Sequence, residues 1–178
     1  MTTLQFRTIE LPRDSAICVD FRRDSYACSF PEAGKFDREH GPDGQSYLEW
    51  LATRIAEFPE GFVHVWRNTG IRQAIIGQIE MRPRGNPSIG YVNLFYLVPS
   101  ARGRGLGEAL NQYALSVFAR LGVPKLQLSV SPSNERAVRF YLKHGWQDLG
   151  PRPGHEDVHL MERSCSAPIP AANSSALI

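Results

Sequence analysis

The stretch that most constrains the fold runs from Ile89 to Leu121, where the period of the apolar residues changes across a glycine loop. Upstream, IGYVNLFYLV is apolar at nearly every position, the pattern of a strand buried on both faces. Downstream, Leu106, Leu110, Tyr113, Val117 and Leu121 recur at helical spacing and predict one apolar helix face. Between them, PSARGRGLGE places Gly103, Gly105 and Gly107 with Arg102 and Arg104 at the head of that helix. A strand entering a helix through such a loop offers unpaired backbone N–H groups to an anion. Glycine lets the backbone come close to it with no Cβ in the way. Phosphate or pyrophosphate is the ligand this chemistry suits; a tight turn with solvated arginines is the alternative.

Two other phosphate loops do not fit. A Walker loop needs Lys-Ser or Lys-Thr after its last glycine, and none follows here. The dinucleotide fingerprint is GxGxxG, whereas GRGLGE has GxGxG and follows strands that look antiparallel.

The rest of the chain supplies the frame. LQFRTI alternates as a first strand, and a helix is expected from Pro12 to about Cys28. Residues 30–44 carry Pro, Gly and Asp at intervals and read as an ordered loop, before a second helix over 45–58. GFVHVWR and IRQAIIGQIEMR flank an Asn-x-Gly hairpin signal. After the glycine-loop helix come the strand KLQLSV and a short helix with Asn134 as N-cap and Gly145 past its end. WQDLG and EDVHLMER close the sheet. The 178 residues suit one domain, expected over 1–163, with 164–178 a disordered tail rich in Ser, Ala and Pro.

Charge and cysteine usage narrow the classes. With 20 Lys and Arg against 18 Asp and Glu, the net charge of +2 argues against nucleic acid as partner. Basic residues do cluster locally at Arg82–Arg84 and Arg102–Arg104. Cys18, Cys28 and Cys165 form no CxxC and no zinc set with the five histidines, so free thiols and no metal are expected. The segment MTTLQFRTIE has no signal-peptide apolar region, and no run approaches a membrane span. The expectation is a cytoplasmic protein without a membrane partner.

Two motifs then identify a family resemblance. Leu97, Pro99, Arg102, Gly105 and Gly107 resemble motif A of the GNAT superfamily of acyl-CoA-dependent N-acyltransferases. Asn134, Ala137, Phe140, Tyr141, Gly145 and Trp146 resemble its motif B, and the strand and helix order fits from residue 4 to about 163. The resemblance implies an α/β fold with a central mixed, mostly antiparallel sheet flanked by helices. It implies acetyl-CoA as acyl-donor cosubstrate and transfer to a primary amine of a small molecule or a protein N-terminus. A non-catalytic acyl-CoA sensor is the alternative, and a homodimer is the assembly to expect.

Residue by residue, the resemblance assigns the pantetheine arm to the backbone of Phe95, Tyr96 and Leu97. It assigns the pyrophosphate to the loop amides of Gly103, Arg104, Gly105, Leu106, Gly107 and Glu108, with Arg102 beside them. Asn134 is implied as a cofactor contact, and Tyr141 as the acid that protonates the departing thiolate, with a plain core aromatic as its other reading. An alkylammonium must lose a proton before it attacks a thioester. The two positions where family members carry a glutamate hold Asn93 and Ser129 here, so the base is open. Glu80 is the acidic candidate by topology; His155 and His159 are others, and each has a reading as a sheet-facing or solvated residue. Tyr26, Phe30, Phe36 and Trp50 are candidate acceptor walls, with Asp24, Glu32 and Asp37 as partners for a cationic amine.

Overall fold

The segments Phe62–Asn68 and Gln73–Arg84 pair antiparallel, as their Asn-x-Gly connection predicts. Asn68 Oδ1 accepts the Gly70 N–H at 2.8 Å, and Gly70 takes φ +83°. The amide side chain thus closes the turn in place of a backbone carbonyl.

The structure is a computed structural model that describes residues 3–86 and 88–165. In chain order the elements are β1 (Thr3–Thr8), α1 (Ser15–Ser29), α2 (Lys35–His40), α3 (Gln45–Glu57), β2 (Phe62–Asn68), β3 (Gln73–Arg84) and β4 (Ile89–Leu97). Then follow α4 (Gly107–Arg120), β5 (Lys125–Val130), α5 (Glu135–Lys143), β6 (Gln147–Arg152) and β7 (His155–Ser164). They build a seven-stranded sheet in the order β1-β2-β3-β4-β5-β7-β6. Only β4 and β5 run parallel; every other neighbouring pair is antiparallel, the mixed sheet that was expected.

Strand alternation divides the core. Val63, Val65, Ile79, Met81, Val92, Leu126 and Leu128 point to one face and meet Leu110, Ala114, Val117 and Phe118 of α4. On the other face α1, α2 and α3 bring Cys18, Val19, Phe36, Tyr47 and Leu51 together with Phe62. Each fully buried leucine contributes roughly 1.5–3 kcal/mol by leaving water. Phe118 fits because β4 opposes it with Gly90, where a Cβ would stand 2.7 Å from the ring.

Three expectations need correction. The segment read as a loop contains α2, a six-residue helix bracketed by Gly34 and Gly41 at φ +71° and +82°. The apolar face of α4 ends at Phe118, because Leu121 caps the helix and is 47% exposed. The expected tail starts too early: Ser164 closes β7, and Cys165 is buried, its N–H bonded to Pro124 O at 2.9 Å. Residues 166–178 lie outside the described residues.

Candidate active site

The site begins where two parallel strands part. β4 and β5 pair only over Gly90–Val92 and Leu126–Leu128. Opposite β3, Glu80 faces Leu94 while Met81 faces Val92, which leaves Asn93 as an extra residue. A bulge of this kind bends a strand and increases its twist, and past Asn93 β4 leaves β5. Val98 N–H donates to Ile76 O at 2.9 Å, which sets the phase of the β3–β4 ladder. Tyr96 therefore bonds Gln78, and Phe95 and Leu97 turn their backbone groups toward the gap. Of the three residues assigned to the pantetheine arm, Phe95 presents its backbone to the cleft and Leu97 its N–H, the Leu97 carbonyl being taken by Arg102 Nε at 2.7 Å. Tyr96 instead donates its hydroxyl to Asp24 at 2.8 Å.

A cavity of about 860 Å³ fills the gap and continues along the glycine loop at one end and the first two helices at the other. At the loop end, the N–H groups of Gly103, Arg104, Gly105, Leu106 and Gly107 have no acceptor among the described residues. That of Glu108 turns back onto Gly105 O at 3.3 Å. Gly103 and Gly105 adopt φ +73° and +76°, which L side chains rarely do, and a Cβ on Gly105 would meet only open space. Gly107 is needed for a different reason: a Cβ there would stand 2.8 Å from the Phe140 ring, the contact between α4 and α5. The two arginines divide. Arg104 is exposed. Arg102 is used internally, donating Nε to Leu97 O at 2.7 Å and pairing with Asp24, so it holds the loop against α1.

Sequence reasoning missed Arg136, which lines this end with a guanidinium nitrogen 3.2 Å from the Cβ position of Gly103. It stands in the first turn of α5, where a cation opposes the helix dipole. That unfavourable placement was a legible signal. Asn134 caps the same helix, accepting Ala137 N–H at 3.3 Å, and lines the cavity as well.

Tyr141 lines the middle of the cavity while packing edge-on to Trp146, ring centres 5.6 Å apart. It is 9% exposed, and its hydroxyl has no hydrogen-bond partner among the described residues. Burial pushes the phenol well above its ordinary value, so it stays protonated at neutral pH. Core packing and cavity lining hold together.

The far end is lined by Arg22, Tyr26, Phe30, Lys35, Asn93 and Ser129, with Glu39, Arg152, His155 and Asp157. Only part of the expected acceptor wall is there. Phe36 is 1% exposed inside the helical layer, and Trp50 packs against Tyr47 and Phe62. The expected acids are occupied elsewhere: Asp24 with Arg102, Glu32 with Arg38 and Asp37 with Arg23. The carboxylates that line this far end are Glu39 and Asp157, with Lys35 Nζ between them at 3.9 and 3.7 Å. Tyr26 donates to Glu39 at 3.0 Å, and burial raises its phenol to about 12. His155 lines the cavity; His159 bonds Asp148 on the neighbouring strand.

Glu80 does not reach the cavity. It is fully buried, accepting from Tyr47 Oη at 2.7 Å and Gln78 Nε2 at 2.8 Å, with Arg22 Nη1 3.6 Å from its other oxygen. Arg22 stands between it and the open space.

Comparison with known proteins gives the family and the fold. A family model described as Acetyltransferase (GNAT) family matches residues 20–146. A mycothiol acetyltransferase of Frankia alni is 34% identical over 129 residues, 67% of this chain and 38% of that protein. An uncharacterized N-acetyltransferase of Mycobacterium bovis is 33% identical over 85 residues, 45% of this chain and 54% of that one. The chain spans well under half the length of the mycothiol acetyltransferases it matches. Among solved structures, a PaiA N-acetyltransferase from Thermoplasma acidophilum in complex with coenzyme A superposes with TM-score 0.70 at 20% identity, covering 91% of this chain and 99% of that one. At that identity the likeness is one of fold.

Proposed function

Because the chain belongs to the GNAT acetyltransferase family, whose model spans residues 20–146, we propose that it binds acetyl-CoA in the β4–β5 cleft and transfers the acetyl group directly to a primary amine. One observation carries the reading. A row of acceptor-less amides, Gly103 to Gly107, heads a cavity that runs past the unpaired edge of β4 to a buried, protonated tyrosine. The amides suit a pyrophosphate. The backbone of Phe95 and the N–H of Leu97 suit the amide groups of a pantetheine arm, which would pair there like an added strand.

In this reading the amine nitrogen forms a bond to the thioester carbonyl carbon and the carbon–sulfur bond breaks. The departing sulfur takes a proton from Tyr141, whose raised affinity for its proton keeps it in the donor form. The acceptor ammonium gives up its proton to a group that faces the cavity, and Glu39, Asp157 and His155 are those within its far end. Glu80 enters as the residue that fixes Arg22 rather than as the base, since it lies behind that guanidinium. A small molecule or an exposed protein N-terminus would each reach the far end.

Calorimetric titration with acetyl-CoA, followed by a thiol-release assay over a panel of primary amines, tests the reading. Binding with turnover supports it. Binding without turnover on any amine would indicate a sensor, and no binding would remove both.

A further inference from the structure

Three arginines gather at and beyond the far end of the cleft with no carboxylate partner among the described residues. Arg84 lays its guanidinium 3.6 Å over the ring of Tyr91, and that of Arg152 lies 5.7 Å from the same ring. Arg152 Nη1 donates to Tyr91 Oη and to Ser129 Oγ, each at 3.2 Å. Burial is the main cause that disfavours the charge on Arg84, and the nearby Arg82 and Arg152 add to it. The Nε atoms of Arg82 and Arg84 are buried without a hydrogen-bond partner among the described residues. None of the three has a carboxylate within ion-pairing distance among those residues.

The contrast with the neighbouring cations is informative. Arg22 has Glu80, and Lys35 has Glu39 and Asp157. Three like charges on one sheet face repel each other, and among the described residues the Tyr91 ring and the hydroxyls of Tyr91 and Ser129 offset that cost only in part, with no carboxylate to balance it. The face also has room. A second cavity of about 260 Å³ is lined by Arg84, Tyr91, Gln127, Arg152 and Leu160, and Arg152 lines the main cleft too.

We propose that Arg84 and Arg152 form an oxyanion subsite for the acceptor, so that the amine acetylated here also carries a carboxylate or a phosphate ester. The inference rests on the acetyl-transfer reading and names its substrate class. The acceptor end then complements a zwitterion: Glu39 and Asp157 stand on the wall that meets the ammonium, and the arginines receive the anion. A planar guanidinium grips either oxyanion through two parallel hydrogen bonds, which Tyr91 and Ser129 help to aim.

The full chain, saturated with CoA so that the loop amides are occupied, is titrated at constant ionic strength with inorganic phosphate and separately with acetate. The arginine Nε–H NMR signals of Arg84 and Arg152 are followed. A saturable shift with phosphate marks a phosphate-bearing acceptor, and one with acetate a carboxylate-bearing acceptor. No saturable shift with either overturns the proposal. Turnover supplies the second readout, on phosphoethanolamine against ethanolamine and β-alanine against its methyl ester. The native protein should favour the anionic member of a pair by about tenfold or more in kcat/KM, and Arg84→Gln and Arg152→Gln should each erode that preference. CoA binding by calorimetry checks that the variants fold. A preference that survives both variants, or equal rates within each pair, overturns the subsite. Failure of CoA to bind would instead remove the acetyl-transfer reading, and the phosphate titration of the free protein would still decide the subsite.

Discussion

Arg22 Nη1 donates to the carbonyl of Asn93 at 3.1 Å, so helix α1 is tied to the residue that bulges out of β4. Glu80 Oε2 lies 3.6 Å from the same nitrogen. The carboxylate thus holds the guanidinium, and the guanidinium holds the bulge at which the cleft opens. Removing one partner of a buried pair leaves the other uncompensated. Glu80→Gln should therefore lower unfolding free energy by about 3 kcal/mol, the low end for such pairs because Arg22 keeps some contact with solvent. Urea denaturation measures it. A variant as stable as the native chain but devoid of acetyl transfer would restore Glu80 as the base.

Tyr141 stands at the middle of the cavity with its hydroxyl free of partners among the described residues. Tyr141→Phe keeps the packing on Trp146 and removes only the hydroxyl that carries the proton. A general acid contributes on the order of 10²–10⁴ in rate. The turnover number should fall by about that factor, with the dissociation constant for acetyl-CoA unchanged by calorimetry. An unaltered rate would leave Tyr141 a packing residue.

Gly105 and Gly107 should fail in different ways. At Gly105 the cost is conformational, φ +76° with open space around it, so Gly105→Ala should cost about 1–2 kcal/mol and weaken donor binding. At Gly107 the cost is steric. Gly107→Ala drives a methyl into Phe140, which should cost about 1–3 kcal/mol and push α5, with Tyr141, away from α4. Turnover should then drop further than donor affinity. Equal losses in both variants on both measures would contradict the distinction.

His64 is buried, with Nε2 3.1 Å from Gln78 Oε1 and Nδ1 3.6 Å from Asp14 Oδ2. Burial holds its pKa below the ordinary 6.5 despite the nearby Asp14, and burial lowers that of His40 as well. The unfolded chain takes up protons near 6.5 where the folded chain does not, so stability falls as pH drops through that value toward the lower folded pKa. The melting temperature should be lower at pH 5.5 than at pH 7.5, and His64→Gln should reduce the difference. A pH-independent melting temperature in that window would exclude the effect.

The local features of this fold were readable because they depend on neighbours in sequence. Gly70, Gly103 and Gly105 occupy the left-handed region that turns require, and Asn134 caps its helix through an amide three residues on. What depended on packing was not readable. Tyr26 and Phe36 lie on adjoining helices in an equally aromatic stretch, yet one faces the cleft and the other the core. α2 escaped notice because six residues cannot hold a helix alone, and its stability comes from Phe36 in the helical layer. Arg84 and Arg152 are brought together only by the order of strands in the sheet, and no local pattern announces that meeting.

The parting of β4 from β5 leaves an unfinished ladder in the interior of the sheet, not at its rim. A molecule that pairs with Phe95 and Leu97 completes secondary structure as well as occupying a pocket. Thermal stability is then linked by mass action to the concentration of whatever completes it, with about 2.7 kcal/mol gained at a hundredfold excess over the dissociation constant. The C-terminal half of the sheet, β5 to β7, is joined to the rest of it by three paired residues of β4. It should therefore be the half whose amide hydrogens exchange most slowly when that molecule is bound, relative to the free chain.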